Sequence, residues 1–257
     1  MIRNLFIIAG ASFVLAAVCF AGAGALGWRN WFDHGWGGGD WTVHLRDGDE
    51  IRHIEDHGDR WSGDGATTTR EIAWGGADSL DLDLPADVQF MQGPGPAKLT
   101  VSGPKDLVDH VQVSGSHLQL NDDGWPNGGR LTVTMTAPNV HRFAIDGDSS
   151  LSIANYDQDE LDVDVSGHGD VTAKGKARAA HIDISGDGDV NLGGLATDSA
   201  DADISGSGRA SIAPASAADL RISGSGEIDL LTRPAKLTSD VSGSGRIVEG
   251  QTAPKPS

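Results

Sequence analysis

Cysteine is almost absent from this sequence. The only one, Cys19, lies in an N-terminal apolar run, so the rest of the chain offers neither a disulfide nor a thiolate metal site. Aromatic residues are scarce, at 5% of 257 residues, which argues against the aromatic- and leucine-rich core of a helical enzyme. Basic residues are few as well: 19 Lys and Arg stand against 37 Asp and Glu, a formal net charge of −18. Such a chain repels nucleic acid and anionic membrane surfaces, and its electrostatic complements are cationic partners and divalent ions. No serine sits in a GxSxG elbow between strand and helix, which excludes the usual serine-hydrolase arrangement. Glycine, by contrast, is abundant at 36 residues, and with Asp, Ser and Val it points to many short strands joined by tight turns.

The apolar run is the first organised feature. Arg3 precedes an uncharged stretch from Leu5 to Leu26, closed by A-x-A patterns at Ala21/Ala23 and Ala23/Ala25. Residues 1–26 therefore read as a secretory signal peptide, or, at a length able to span a bilayer, as a membrane anchor. Both place the remainder in the periplasm or cell envelope, with membrane contact only through this segment. Residues 27–66 form a Gly/Asp/Trp-rich spacer without sustained periodicity, and residues 251–257 a polar tail. The spacer holds Trp28, Trp31, Trp36, Trp41 and Trp61, which read as a linker or a cap on the first coil, with a sugar-binding, membrane-interface or docking segment as the alternatives. It also holds His53 and His57, four apart, which on a helix would share a face and could bind zinc; the segment is Gly- and Asp-rich without a helical pattern, so spacer histidines are the better reading.

From residue 67 to 250 the chain alternates apolar and polar residues with period two, as in "SLDLDLPADVQF". A phrase then recurs: "VDVSGHGDV", "IDISGDGDV", "ADISGSGRA", "RISGSGEI", "DVSGSGRIV". Its serines, Ser166, Ser185, Ser205, Ser223 and Ser242, are 18 to 20 residues apart. A fixed period of this length marks a stacked repeat. Before each turn Val163/Val165 match Ile182/Ile184, Ala202/Ile204 and Leu220/Ile222. After it Val171/Ala173 match Val190/Leu192, Ala210/Ile212 and Ile228/Leu230. Between the first set stand Asp164, Asp183, Asp203, Arg221 and Asp240. Successive strand side chains face opposite sides, so the apolar columns face inward and the acidic column outward. The fold class expected is all-β, a single parallel β-helix with coils of about 19 residues, some eight in number, right-handed by the general crossover bias. The glycines supply the corner, and the serine hydroxyls are expected to bond along the ladder or to the turn.

"LTVTMTAPNVHRFAIDGDSSLSI" followed by the Ser-Gly-x-Gly corners resembles the head GIN domain family, exported bacterial β-helical domains named for autotransporter adhesins by analogy. The resemblance covers roughly residues 69–250. It implies a β-helix in the cell envelope and no catalytic motif. A true autotransporter would add a C-terminal membrane barrel; this sequence runs to a polar tail at Ser257, so self-secretion to the surface is not expected.

The candidate chemistry is sparse. Asp187 and Asp189 in "SGDGDV", and Asp170, equivalent to Asp189 one coil earlier, are the candidate calcium ligands, since hard oxygen donors on turns suit Ca²⁺. The competing reading is a solvated acidic face, and the period is not that of the nine-residue calcium roll. No resident cofactor is expected, with calcium as the alternative. Arg209, Arg221 and Arg246 lie near the acidic columns without a motif to make them catalytic. Arg246 and Glu249 are expected to guard the edge of the last coil. The function expected is an exported envelope binding or structural module, adhesin-like and non-catalytic, whose partner is an envelope or extracellular molecule, polysaccharide among the candidates. The alternatives are a polysaccharide-active β-helix enzyme, revealed by a cleft flanked by carboxylates, and a membrane-tethered envelope sensor.

Overall fold

A computed structural model describes residues 67–121 and 129–250. The expected signal or anchor segment, the Trp-rich spacer with His53 and His57, and the polar tail lie outside these residues. Sixteen strands and one short helix follow in order: β1 (Thr67–Ile72), β2 (Ser79–Asp83), β3 (Ala86–Gln92), β4 (Lys98–Pro104), α1 (Lys105–His110), β5 (Val111–Ser114), β6 (His117–Leu120), β7 (Leu131–Ala137) and β8 (Arg142–Gly147). Then come β9 (Ser150–Gly167), β10 (Asp170–Gly186), β11 (Asp189–Gly206), β12 (Arg209–Ile212), β13 (Pro214–Gly224), β14 (Glu227–Leu230), β15 (Lys236–Gly243) and β16 (Arg246–Glu249). Among the described residues no helix is long and apolar enough to cross a membrane.

The strands from β9 onward are the coils of a parallel solenoid, about five in number. Each corner divides one coil from the next and leaves two walls. One wall runs β9–β10–β11–β12–β14–β16, the other β9–β10–β11–β13–β15. The register matches equivalent positions of the repeat. Val165, Ile184, Ile204, Ile222 and Val241 pair in sequence along one inward column. Leu151, Val171, Val190, Ala210, Ile228 and Ile247 form another on the opposite wall. These columns are buried except at the last coil.

The corners explain the repeated phrase. Gly206 has φ +138°, and a Cβ there would lie 2.4 Å from the carbonyl oxygen of Gly186 in the coil beneath. A Cβ on Gly208 would meet Ile184 Cγ2 at 2.6 Å. Backbone bonds close the corner: Ser207 N donates to Gly186 O (2.9 Å) and Arg209 N to Gly188 O (3.0 Å). The expected serine bonds are not what holds it. Ser166, Ser185, Ser205, Ser223 and Ser242 are exposed, because they occupy the outward strand position just before the turn.

The N-terminal strands depart from regular coils, which reduces the expected eight. On one wall the order is β1–β4–β7–β3–β9, with β1, β4 and β7 antiparallel neighbours. On the other it is β5–β6–β2–β8–β9, with β5 and β6 an antiparallel hairpin. After β3 the chain leaves the stack, and it returns in β7 one rung farther from the coils than β3. It then crosses to β8, inside β2. The two turns thus interleave. Leu107 and Val108 of α1 are buried, and Phe90 and Phe143 meet edge to face with centroids 5.0 Å apart. This end is therefore covered, as a solenoid end requires.

Candidate functional site

The outer surface of the β8–β9–β10–β11–β13 wall concentrates the charge. Parallel register turns the recurring polar positions into columns. Arg142, Asp162, His181, Asp201 and Asp219 form one, and Ala144, Asp164, Asp183, Asp203 and Arg221 the next. Neighbours along a column are one coil apart, about 4.8 Å. Arginines cap the ends: Arg142 binds the Asp164 carboxylate, and Arg221 Nη2 lies 2.9 Å from Asp219 Oδ1.

The middle of this surface is left acidic. Burial, then the carboxylates of Asp164 and Asp203, push the Asp183 carboxyl above its ordinary value. Burial and the neighbouring Glu160 raise Asp162, against the pull of His181, His141 and Arg142. His181 stands between two acids. Its Nε2 is 3.2 Å from Glu160 Oε1 and its Nδ1 is 3.2 Å from Asp201 Oδ2. Glu160, Asp162 and His181 each bring a ligand atom within 4.8 Å of the others.

Beside this surface lies a groove of about 930 Å³, lined by Asp157, Asp159, Glu160, Lys176, Arg178 and Asp198 among others. Lys176 Nζ is 3.1 Å from Asp157 Oδ2, and Arg178 Nε is 2.8 Å from Asp159 Oδ1. Both aspartates are more than three-fifths exposed. Tyr156, behind the groove, is buried and donates its hydroxyl to Glu160 O.

The three aspartates singled out in the sequence lie at or next to the corners. Asp170 and Asp189 are neighbours in adjacent coils. Asp189 Oδ1 lies 3.9 Å from Arg209 Nη1, and Asp187 Oδ2 3.4 Å from His168 Nε2. Arg209 and Arg246 both bind Glu227, Arg246 Nη2 at 2.6 Å. Burial pushes the Glu227 carboxyl up, but hydrogen bonds from these two arginines outweigh it and hold it below the usual carboxylate range. The adjacency of Asp162 and His181 is readable in the repeat: His181 falls 19 residues after Asp162, one coil on.

The family described as "Putative auto-transporter adhesin, head GIN domain" matches residues 78–234. Among solved structures, a putative adhesin from Bacteroides fragilis aligns with TM-score 0.60 at 20% identity, over 71% of this chain and 96% of its own. A putative lipid binding protein from Parabacteroides distasonis aligns with TM-score 0.45 at 18% identity, over 73% and 98%. At 20% identity, the first likeness is one of fold. No curated protein matches the chain.

Proposed function

Because the chain belongs to the auto-transporter adhesin head GIN domain family, we propose that it is an exported cell-envelope binding module, adhesin-like and non-catalytic, with a cationic or glycan partner. The observation that carries this reading is the pair of outward columns, Asp162–His181–Asp201–Asp219 and Asp164–Asp183–Asp203, repeated coil by coil on a solvent-facing wall. A regular array of carboxylates suits a repetitive partner, because each coil offers the same group at the same spacing. The apolar residues 5–26 supply export or tethering in this reading.

The groove favours binding over hydrolysis. A glycosidase acid sits in apolar surroundings that exclude water. Asp157 and Asp159 are instead open to solvent and tied to Lys176 and Arg178. Incubating the purified protein with bacterial and host polysaccharides, with and without divalent cations, tests the reading. Retention of an intact glycan, weakened by Asp183→Asn and Asp203→Asn together, supports it. Release of shortened products replaces it with a polysaccharide-active enzyme.

A further inference from the structure

We propose that Glu160, Asp162 and His181 form a binding site for a divalent transition-metal ion of the zinc class on the outer wall. Glu160 and Asp162 are two apart in β9, hence on one side of the strand, and His181 is the register partner of Asp162 in β10. The three ligand atoms lie within 4.8 Å of one another. A tetrahedral ion with bonds of about 2.0–2.1 Å spaces its ligands about 3.3 Å apart, so small side-chain rotations close the set.

The imidazole supplies the argument that a bare acidic cluster lacks. Both ring nitrogens face carboxylate oxygens at 3.2 Å, Nδ1 toward Asp201 and Nε2 toward Glu160. A neutral imidazole carries one N–H. Donating it from Nδ1 to Asp201 leaves the Nε2 lone pair aimed at another anion, a repulsive contact unless a cation lies between. That cation is a proton or a metal. The second arrangement is the carboxylate–histidine–metal relay, in which the outer acid fixes the ring and raises its basicity. Local charge agrees with it. Arg142 is the register partner of Asp162 but binds Asp164. Among the described residues, Glu160, Asp162 and Asp201 pair with no arginine or lysine. A mixed nitrogen and oxygen set selects transition metals over Ca²⁺, which takes oxygen ligands. Three protein ligands leave a fourth position for water or a donor from a partner. The site stands on its own geometry and holds whatever the outer wall binds.

The test is calorimetric titration of the full, tag-free, chelator-treated chain with Zn²⁺ at pH 7.5, with Co²⁺ absorption as the coordination readout. The result expected is one saturable ion per chain with the visible spectrum of tetrahedral Co²⁺. His181→Gln and Asp162→Asn abolish that spectrum, while Asp201→Asn, outside the ligand set, weakens affinity about 10- to 100-fold. Melting curves without metal confirm that each variant folds, and Asp187→Asn with Asp189→Asn serves as a control that keeps the site. No saturable uptake overturns the proposal. So does uptake that His181→Gln leaves unchanged, which is diffuse binding to an acidic surface. Binding of Ca²⁺ alone, lost in the Asp187/Asp189 variant, also overturns it and moves the metal to the corner.

Discussion

Ser149 stands where later corners have the second glycine: Asp170 N donates to Ser149 O as Asp189 N donates to Gly169 O. The difference comes from the rung beneath it. There the chain is Leu84–Pro85–Ala86, not another Ser-Gly-x-Gly turn, and the ladder breaks. The Ser149 hydroxyl repairs it by donating to Leu84 O and accepting from Ala86 N at 3.1 Å. With 1% of its surface exposed, it cannot be replaced there by water. Ser149→Ala is expected to cost about 1–3 kcal/mol, the usual penalty for orphaned buried polar groups. Exposed Ser185→Ala should stay within about 0.5 kcal/mol. Urea unfolding of the two variants checks the contrast, and equal losses would refute the repair role. Gly206→Ala adds a methyl group 2.4 Å from a backbone oxygen at φ +138°. It is expected to cost on the order of 3 kcal/mol by the same measurement, since both the conformation and the space forbid it.

Within the strands, one column shows how a repeat trades solubility against stability. Asp183 lies between Asp164 and Asp203 with no arginine of its own rung. Its carboxyl is raised, so the folded state holds this proton more tightly than the unfolded chain. The contribution to stability is full below the unfolded value and is lost as pH rises through the folded one. Asp183→Asn should therefore raise the melting temperature at neutral pH, by relieving the partial burial of the charge and the repulsion of Asp164 and Asp203, the two screened neighbours accounting for about 1 kcal/mol of unfolding free energy, with the gain vanishing in acid. Glu227 has the opposite sign. Its carboxyl is depressed by Arg209 and Arg246, so its contribution is present above the unfolded value and is lost as pH falls through the folded one. Glu227→Gln should flatten the acid limb of the stability profile and leave the neutral-to-alkaline limb parallel to that of the parent protein. A repeat in phase makes such columns legible from spacing alone: the 19-residue period puts Asp164, Asp183 and Asp203 on one outward line and Ile184, Ile204 and Ile222 on one inward line. The excursion between β3 and β7 is not legible in this way, because alternation with period two is common to parallel and antiparallel strands. Of the Glu160–Asp162–His181 group the spacing shows only that Asp162 and His181 are neighbours one coil apart; that they form a group with Glu160 does not stand out. His181 breaks the acidic pattern at its position, and Glu160 belongs to the side segment whose repeats are least alike.

At the scale of the whole solenoid the two ends differ. The N-terminal end is closed by β1, β4, α1 and the β5–β6 hairpin, whereas the last coil leaves Leu237, Val241 and Val248 between 37% and 42% exposed. The edges of β15 and β16, like those of β1 and β5 at the other end, have no partner beyond them among the described residues. Open edges of this kind invite pairing with a second chain. The last coil counters this inside its own columns. Ser239 occupies the register position of Leu220, and Glu249 that of Leu230. Glu249 lies 3.9 Å from Arg233 Nη2, and Arg246 is held on Glu227. Polar groups thus interrupt two apolar lines at the rung where a further coil would have to dock, since a chain stacking there would have to desolvate the Glu249 carboxylate, held only by a long contact to Arg233, and the Ser239 hydroxyl. Glu249→Leu combined with Ser239→Leu restores both columns and is expected to drive end-to-end association at concentrations where the parent protein shows none. Sedimentation velocity across a concentration series measures it. A variant that sediments as the parent does at every concentration would show that the polar rung is not what keeps this end single.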